Sequence, residues 1–506
     1  MLNPLDKLIN ENDIRGVALE GVEGESVNLT EDMVKVLGAA FVKWLSNKKQ
    51  IDKRDLKISV GRDSRLSGEK LKDAIIDGIT NNGANVYDCG LASTPAMFMS
   101  TVLEGYEYDG AIMITASHLP FNRNGLKLFT KEGAIEKSDL KQIVDIAKSE
   151  ADLVNKQCGS ANTIDFISIY AKVLVEKIRE GVNSKVDKLQ PLKDFKIIVD
   201  AGNGCGGFYV NKVLKELGAN TFGSQFIEPD GRFPNHIPNP EDEEAMHSIK
   251  EAVIKNKADL GIIFDTDVDR AAIVDSYGNE INRNRLIALI SAIILEEHPK
   301  TTIVTDSVTS VGLKQFIEDI HGGKHHRFKR GYKNVINEAI RLNKSGAECH
   351  IAIETSGHAA LKENYFLDDG AYLISKILVK MAKLKHEKNE NLHELIKDLK
   401  EANVSVEYRI KIKCENFKDY GTKILNDLEE YCTNKEGWKI EVPNYEGVRV
   451  KCGDAWFLMR LSLHDPVMPI NLETNSQKEK QDILKCLLDF LSKYQDLDIS
   501  VLKKNA

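Results

Sequence analysis

Three short apolar runs along the chain each open into a polar loop and return as a second apolar run. Gly110-Ala111-Ile112-Met113-Ile114 opens into Thr115-Ala116-Ser117-His118-Leu119-Pro120 and returns through Gly125-Leu126-Lys127-Leu128-Phe129. Gly261-Ile262-Ile263-Phe264 opens into Asp265-Thr266-Asp267-Val268-Asp269-Arg270 and returns through Ala271 to Val274. His350-Ile351-Ala352-Ile353 opens into Glu354-Thr355-Ser356-Gly357-His358 and returns through Ala359-Ala360-Leu361. Short, unpunctuated runs rich in β-branched residues suit buried strands. Upstream of each lies a further strand pattern that leads through a small-residue turn to a helix: Lys57 to Val60, Lys196 to Asp200, and Thr302 to Asp306. The first of these turns, Gly61 to Gly68, is a place where a helix N-terminus could hold an anion. In the second unit the pattern predicts a helix and another strand between the Gly-rich turn Ala201 to Gly207 and the run at Gly261.

This threefold echo predicts three α/β units, each with a polar loop at the strand end where open α/β sheets bind ligands. The last hundred residues differ. Val406 to Ile412 alternates like a strand, Asp419 to Tyr431 reads as a helix, Gly447 to Cys452 and Trp456 to Arg460 as a hairpin, and Gln477 to Tyr494 as a closing helix. The expected fold class is α/β: three similar mixed-sheet α/β domains plus a smaller C-terminal α+β domain around a central cleft. The expected boundaries are 1–163, 164–278, 279–400 and 401–506.

Charge narrows the partners. Lys and Arg number 69 against 77 Asp and Glu, a formal net charge of −8. With no broad basic field, nucleic acid is not an expected partner. The eight cysteines are scattered, with no C-x-x-C pair, as expected of reduced thiols in a cytoplasmic protein. No signal or transit character is seen at Met1 to Asp6, and the longest apolar run, Leu286 to Leu295, is too short to span a bilayer. No membrane association is expected.

In an extended loop, Asp265, Asp267 and Asp269 converge on one side. Three carboxylates at close quarters repel unless a cation neutralises them, and all-oxygen ligation favours Mg²⁺. That ion goes with phosphoryl chemistry. Ser117 beside His118 is a candidate nucleophile. Lys127, Lys329 and Arg330 are candidate phosphate contacts. Glu354 and His358 could grip sugar hydroxyls or move protons, and Arg460 with Ser462 and His464 could hold a phosphate.

The four loops, Thr115 to Pro120, Asp265 to Arg270, Glu354 to His358 and Arg460-Leu461-Ser462-Leu463-His464-Asp465-Pro466, occur in the order seen in the α-D-phosphohexomutases, and the chain resembles that family over nearly its whole length. The resemblance implies a phosphohexomutase that interconverts hexose 1-phosphate and hexose 6-phosphate, with glucose or mannose as the sugar. Ser117 would be the phosphoserine and a hexose 1,6-bisphosphate the intermediate, with glucose 1,6-bisphosphate or mannose 1,6-bisphosphate as activator. It implies Mg²⁺ on Asp265, Asp267, Asp269 and a phosphoserine oxygen, with Arg270 beside it. Glu354 and Ser356 would bind sugar hydroxyls and His358 would assist proton transfer. Arg460, Ser462 and His464 would hold the non-reacting phosphate. Arg15, His118, Lys127 and Lys329 fall at family active-site positions, with Lys127 a general acid or base candidate. A monomer or homodimer is expected.

Departures from the family pattern are local. Thr266 and Val268 stand where the commonest metal loop has Gly, Leu119 follows Ser-His where Asn is usual, and His464 replaces a Thr in the phosphate loop. Three other readings compete: a phosphoglucosamine mutase, against which the loop Glu354 to His358 speaks; a phosphatase with Asp265 as nucleophile, resembling the haloacid-dehalogenase type; and a non-catalytic sugar-phosphate-binding protein.

Overall fold

The computed structural model describes residues 4–149, 159–462 and 465–505. The chain divides into two compact units, one of residues 1–282 with 356–394 and one of 283–355 with 395–506.

The first unit contains two sheets. In the larger, the parallel strands Gly110–Ile114, Lys57–Arg62, Asn85–Leu91 and Ala161–Thr163 lie side by side. On the Gly110 side the antiparallel strands Arg123–Thr130 and Asp13–Val17 continue the sheet. Helices Glu31–Lys49 and Gly68–Asn81 pack together beside it. The first starts at Thr30, whose hydroxyl accepts the Met33 N–H, and buries Val34, Leu37, Phe41, Trp44 and Leu45. The second sheet runs Glu280–Ile281, Ala271–Asp275, Leu260–Phe264, Ile197–Asp200, with only the last pair parallel. Both sheets thus place a strand parallel to its upstream neighbour and turn it back antiparallel through a polar loop, as the sequence pattern predicts.

One expectation fails in the second module. The helix after Gly207 is a single wide turn, Tyr209–Leu214, and no strand forms between Lys215 and Asp242. Only the isolated parallel bridges Lys196↔Asn220 and Asp200↔Gln225 mark where it would run. Gly223, at positive φ between those two bridges, interrupts the strand, and Pro229, Pro234, Pro238 and Pro240 follow beyond it.

In the second unit, strands Lys324–Arg327, Thr302–Thr305 and Cys349–Ile353 are parallel, flanked by helices Asn284–Glu297 and Tyr332–Lys344. The C-terminal part is an antiparallel sheet in the order Trp438–Ile440, Val448–Cys452, Ala455–Met459, Val467–Thr474, Val404–Ile412, Leu497–Asp498. Helices Phe417–Thr433 and Gln477–Leu491 share its apolar core, in which Ile424, Leu428, Phe457, Ile470 and Leu487 are buried. Three α/β modules and a further antiparallel-sheet domain therefore match the expected fold class. Among the described residues no helix is long and apolar enough to cross a membrane, and their seven cysteines form no disulfide.

The helix pair of the first module crosses at Gly78, where a Cβ would lie 2.0 Å from the Lys35 carbonyl oxygen. Gly78→Ala is expected to cost about 1–3 kcal/mol by forcing the helices apart. Thermal unfolding should show a lowered Tm, and an unchanged Tm would contradict this packing.

Candidate active site

Ser117 ends the strand Gly110–Ile114 and takes φ 52°, a left-handed conformation uncommon for a residue with a side chain. Arg65 holds it there. Its guanidinium donates to the carbonyls of Ser117 (2.5 Å), Leu119 (2.6 Å), Pro120 (2.7 Å) and Arg123 (3.0 Å), wrapping the loop around one buried cation. Asp63 pairs with Arg65 at 3.2 Å and accepts the Thr115 hydroxyl at 2.7 Å. Thr115 Oγ1 in turn accepts the Ser117 N–H at 2.9 Å. The Gly61 to Gly68 turn, a candidate anion site by sequence, thus directs Asp63 and Arg65 inward as a brace for the serine loop. Arg15 adds a second brace, donating to the Thr115 carbonyl at 2.8 Å while paired with Asp13 at 2.8 Å.

The Asp loop joins Leu260–Phe264 to Ala271–Asp275, with Phe264 opposite Ala271. Val268 is buried at φ 68°, a strained state for a β-branched residue. Its carbonyl accepts the Gly370 N–H at 3.1 Å, at the start of helix Gly370–Lys388. A Cβ on Gly370 would stand 2.8 Å from the Arg270 carbonyl carbon, so only Gly allows this approach.

These two loops meet. Ser117 Oγ donates to Asp265 Oδ2 at 2.9 Å and accepts from Arg270 Nη2 at 3.1 Å. Arg270 Nε and Nη2 each lie 3.1 Å from Asp265 Oδ2, and Nη2 donates to His118 Nδ1 at 2.7 Å. Lys127, brought in on strand Arg123–Thr130, donates to Asp267 Oδ2 at 2.9 Å and Asp269 Oδ2 at 2.5 Å. The Thr94 hydroxyl also donates to Asp267 Oδ2. Asp265, Asp267 and Asp269 each offer an oxygen within 4.8 Å of the others. Asp267 Oδ1 and Asp269 Oδ1 are buried with no hydrogen-bond partner. Buried acceptors of this kind need a donor or a cation, and all-oxygen ligation fits Mg²⁺. The residues fit the ion: Asp265, Asp267 and Asp269 would hold it, and it would neutralise charge on phosphoryl oxygens.

The electrostatics divide the titrating groups. Burial, then the charges of Asp269 and Asp267, push the Asp265 carboxyl well up. Burial acts the same way on Asp269, but Lys127, His358 and Arg270 outweigh it and hold that carboxyl low. Burial alone would lower the Lys127 ammonium; Asp267, Asp269 and Asp13 overcome it and keep the group charged. For His118, burial and then the Arg270 and Arg15 charges bring the pKa down to about 3, so the ring is neutral at physiological pH. His358 is the reverse case. Burial opposes its charge, but Asp368 (2.5 Å) and Asp269 (3.9 Å) raise it to about 9. A neutral imidazole beside Ser117 and an imidazolium beside Asp269 suit opposite directions of proton transfer.

Ser356 lies in the first unit with its Oγ buried and without a hydrogen-bond partner. Glu354 belongs to the second unit, where its Oε1 accepts the Gly331 N–H at 2.6 Å. Nearby in the same unit, Glu446 accepts the Arg330 N–H (3.0 Å) and the Ser307 hydroxyl (2.6 Å) and lies 3.8 Å from Arg460. Arg460 is buried, and its Nε has no hydrogen-bond partner. Burial lowers its pKa, opposed by Glu446. Ser462 N donates to the Val467 carbonyl at 2.9 Å and its Oγ accepts the Asp465 N–H. Lys329 is solvent-exposed. His464 lies outside the described residues. Sequence reasoning missed Arg65, Thr94, Asp368 and Glu446. For Asp368 the only signal was its place shortly after the His358 loop.

The three modules match, in order, the family descriptions phosphoglucomutase/phosphomannomutase alpha/beta/alpha domain I over residues 6–153, domain II over 172–278 and domain III over 282–402. The chain belongs to the phosphoglucomutase/phosphomannomutase family. A phosphoglucomutase/phosphomannomutase of Thermococcus kodakarensis is 30% identical over 95% of this chain and 97% of its own length. A phosphomannomutase/phosphoglucomutase of Pseudomonas syringae pv. tomato is 28% identical over 94% of this chain and 93% of its own. The crystal structure of a phosphoglucomutase/phosphomannomutase family protein from Burkholderia thailandensis superposes with a TM-score of 0.78 at 26% identity, covering 98% of this chain and all of that one.

Two outcomes test this geometry. Asp267→Asn is expected to weaken Mg²⁺ binding by about tenfold or more in a direct titration; unchanged affinity would remove Asp267 from the ion. In metal-free protein, the His358 imidazole followed by NMR should titrate near 9, being charged below that pH and losing its Asp368 ion pair above it. Asp368→Asn should bring the midpoint down by about a unit or more, and a midpoint at the ordinary histidine value in both proteins would contradict the pairing.

Proposed function

We propose that this chain is a Mg²⁺-dependent phosphohexomutase that interconverts the 1- and 6-phosphates of glucose and mannose through phosphoserine 117. The observation that carries the reading is the seat of Ser117 Oγ, 2.9 Å from Asp265 Oδ2 and 3.1 Å from Arg270 Nη2 beside three buried aspartates. In the forward half-reaction the bond between Ser117 Oγ and phosphorus breaks, and a bond forms from phosphorus to a sugar hydroxyl. The hydroxyl proton passes to a base on the protein, and Arg270 stabilises charge at the departing Oγ. The resulting hexose 1,6-bisphosphate then returns its other phosphoryl group to Ser117. A free hexose 1,6-bisphosphate would serve as activator by recharging Ser117.

The remaining roles follow the same reading. Lys127, His118 and His358 are the candidate proton carriers, and Arg15 steadies the serine loop. Glu354 and Ser356 grip sugar hydroxyls. Lys329, Arg330, Arg460, Ser462 and His464 contact the substrate's phosphate. The domains are taken as 1–163, 164–278, 279–400 and 401–506, in a cytoplasmic protein acting as monomer or homodimer.

A coupled assay with Mg²⁺ and glucose 1,6-bisphosphate tests the proposal. Glucose 1-phosphate and mannose 1-phosphate should be turned over faster than glucosamine 1-phosphate. Ser117→Ala should retain no more than about a thousandth of the rate. Full activity in that variant overturns the proposal, and a preference for the glucosamine ester reassigns the sugar.

A further inference from the structure

A cavity of about 310 Å³ opens in the second unit between the third α/β module and the C-terminal sheet. None of Lys329, Arg330, Glu354, Arg460 or Ser462 lines it. Its volume is at the lower end for small-molecule sites. Five cationic side chains, Lys314, Arg327, Lys439, Arg449 and Lys451, face a single carboxylate, Glu441.

The two arginines are engaged in structure. Arg449 Nε pairs with Glu441 at 2.5 Å, and its other nitrogens donate to the Ser307 and Thr309 carbonyls at 2.9 Å. Arg327 donates to Thr309 Oγ1 and the Ser310 carbonyl, and lies 3.6 Å from Glu441. The lysines are not so engaged. Lys439 and Lys451 are direct cross-strand partners on the Trp438–Ile440 and Val448–Cys452 ribbon. Like charges placed opposite each other destabilise a sheet. Among the described residues no hydrogen bond or ion pair engages either ammonium. Among the described residues the only ion pair of Lys314 is with the half-buried Glu318, 3.8 Å away, whose carboxylate also accepts the His325 N–H.

An aromatic edge adjoins this cationic wall. The Tyr445 ring sits 4.8 Å from Phe328 and 5.4 Å from His326, centroid to centroid. Tyr445 is 38% exposed and Val442 beside it 82% exposed, an apolar lip left open to solvent. Unpaired lysines call for a multiply charged anion, and the lip calls for a flat apolar ring on the same molecule.

We propose that this cavity binds a nucleoside diphosphate, its phosphates against Lys314, Lys439 and Lys451 and its base against Tyr445 and Val442. Because Lys314 and Phe328 belong to the α/β module and Lys439 and Tyr445 to the C-terminal domain, the bound nucleotide braces one against the other. The test is calorimetric titration of the full chain with ADP, pyrophosphate or adenosine, in the presence of saturating glucose 1,6-bisphosphate. ADP should bind at one site per chain, with pyrophosphate and adenosine each about tenfold weaker or more. Lys439→Ser/Lys451→Ser should weaken ADP by about tenfold or more while leaving mutase turnover without nucleotide unchanged. Absent ADP binding, ADP excluded by the bisphosphate, equal binding of pyrophosphate, or unchanged affinity in the double variant would each overturn the assignment.

Discussion

The burial of Asp265, Asp267 and Asp269 within 4.8 Å of one another is the constraint on which the first unit depends. Three desolvated carboxylates are costly unless compensated. Two cations do so from different parts of the chain: Lys127 from the first module and Arg270 from the Asp loop itself. The compensation is incomplete, since two carboxylate oxygens keep no hydrogen bond. That shortfall leaves the cluster oxygen atoms with which it could hold a cation. It also ties the first two modules together, because Lys127 and Thr94 must be in place for the aspartates to be tolerated.

The serine loop is built on a complementary plan. Arg65 gathers four backbone carbonyls and Thr115 fixes the Ser117 amide, so the left-handed turn at Ser117 is over-determined by its surroundings. The strained Val268 in the Asp loop is fixed likewise by the amide of Gly370. Two strained turns, each clamped by a separate buried partner, put a hydroxyl against a carboxylate and a guanidinium with little freedom to drift. Preorganisation of this kind is what phosphoryl transfer asks of a protein. The second unit supplies a different chemistry, with Arg330, Arg460, Glu446 and Glu354 forming a mixed-charge group suited to a sugar phosphate.

Much of this was legible in the chain because strand-end loops announce themselves. An apolar run, a polar loop and an apolar return predicted the hairpins around Ser117 and Asp265. The alternation of Asp265, Asp267 and Asp269 predicted their convergence from an extended loop, whereas a turn through the left-handed Val268 brings them together. The missing strand in the second module was not legible: Gly223 takes a positive φ between Asn220 and Gln225, the two bridge positions that mark its course. Arg65, Thr94 and Asp368 were also out of reach. Each is an ordinary residue locally: Arg65 meets Ser117 across 52 positions and Thr94 meets Asp267 across 173, while Asp368 meets His358 across 10, and periodicity encodes none of these contacts. The division of the loop Glu354 to His358 between two units is likewise a property of packing alone.

The central claim is that the phosphoryl group is carried by Ser117 and not by an aspartate of the neighbouring loop. The most direct measurement is to charge the protein with glucose 1,6-bisphosphate and Mg²⁺, digest it, and locate the phosphoryl group by mass spectrometry, with and without hydroxylamine treatment. The account predicts a hydroxylamine-resistant ester on the peptide containing Ser117. A hydroxylamine-labile phosphate on the peptide containing Asp265 would contradict it.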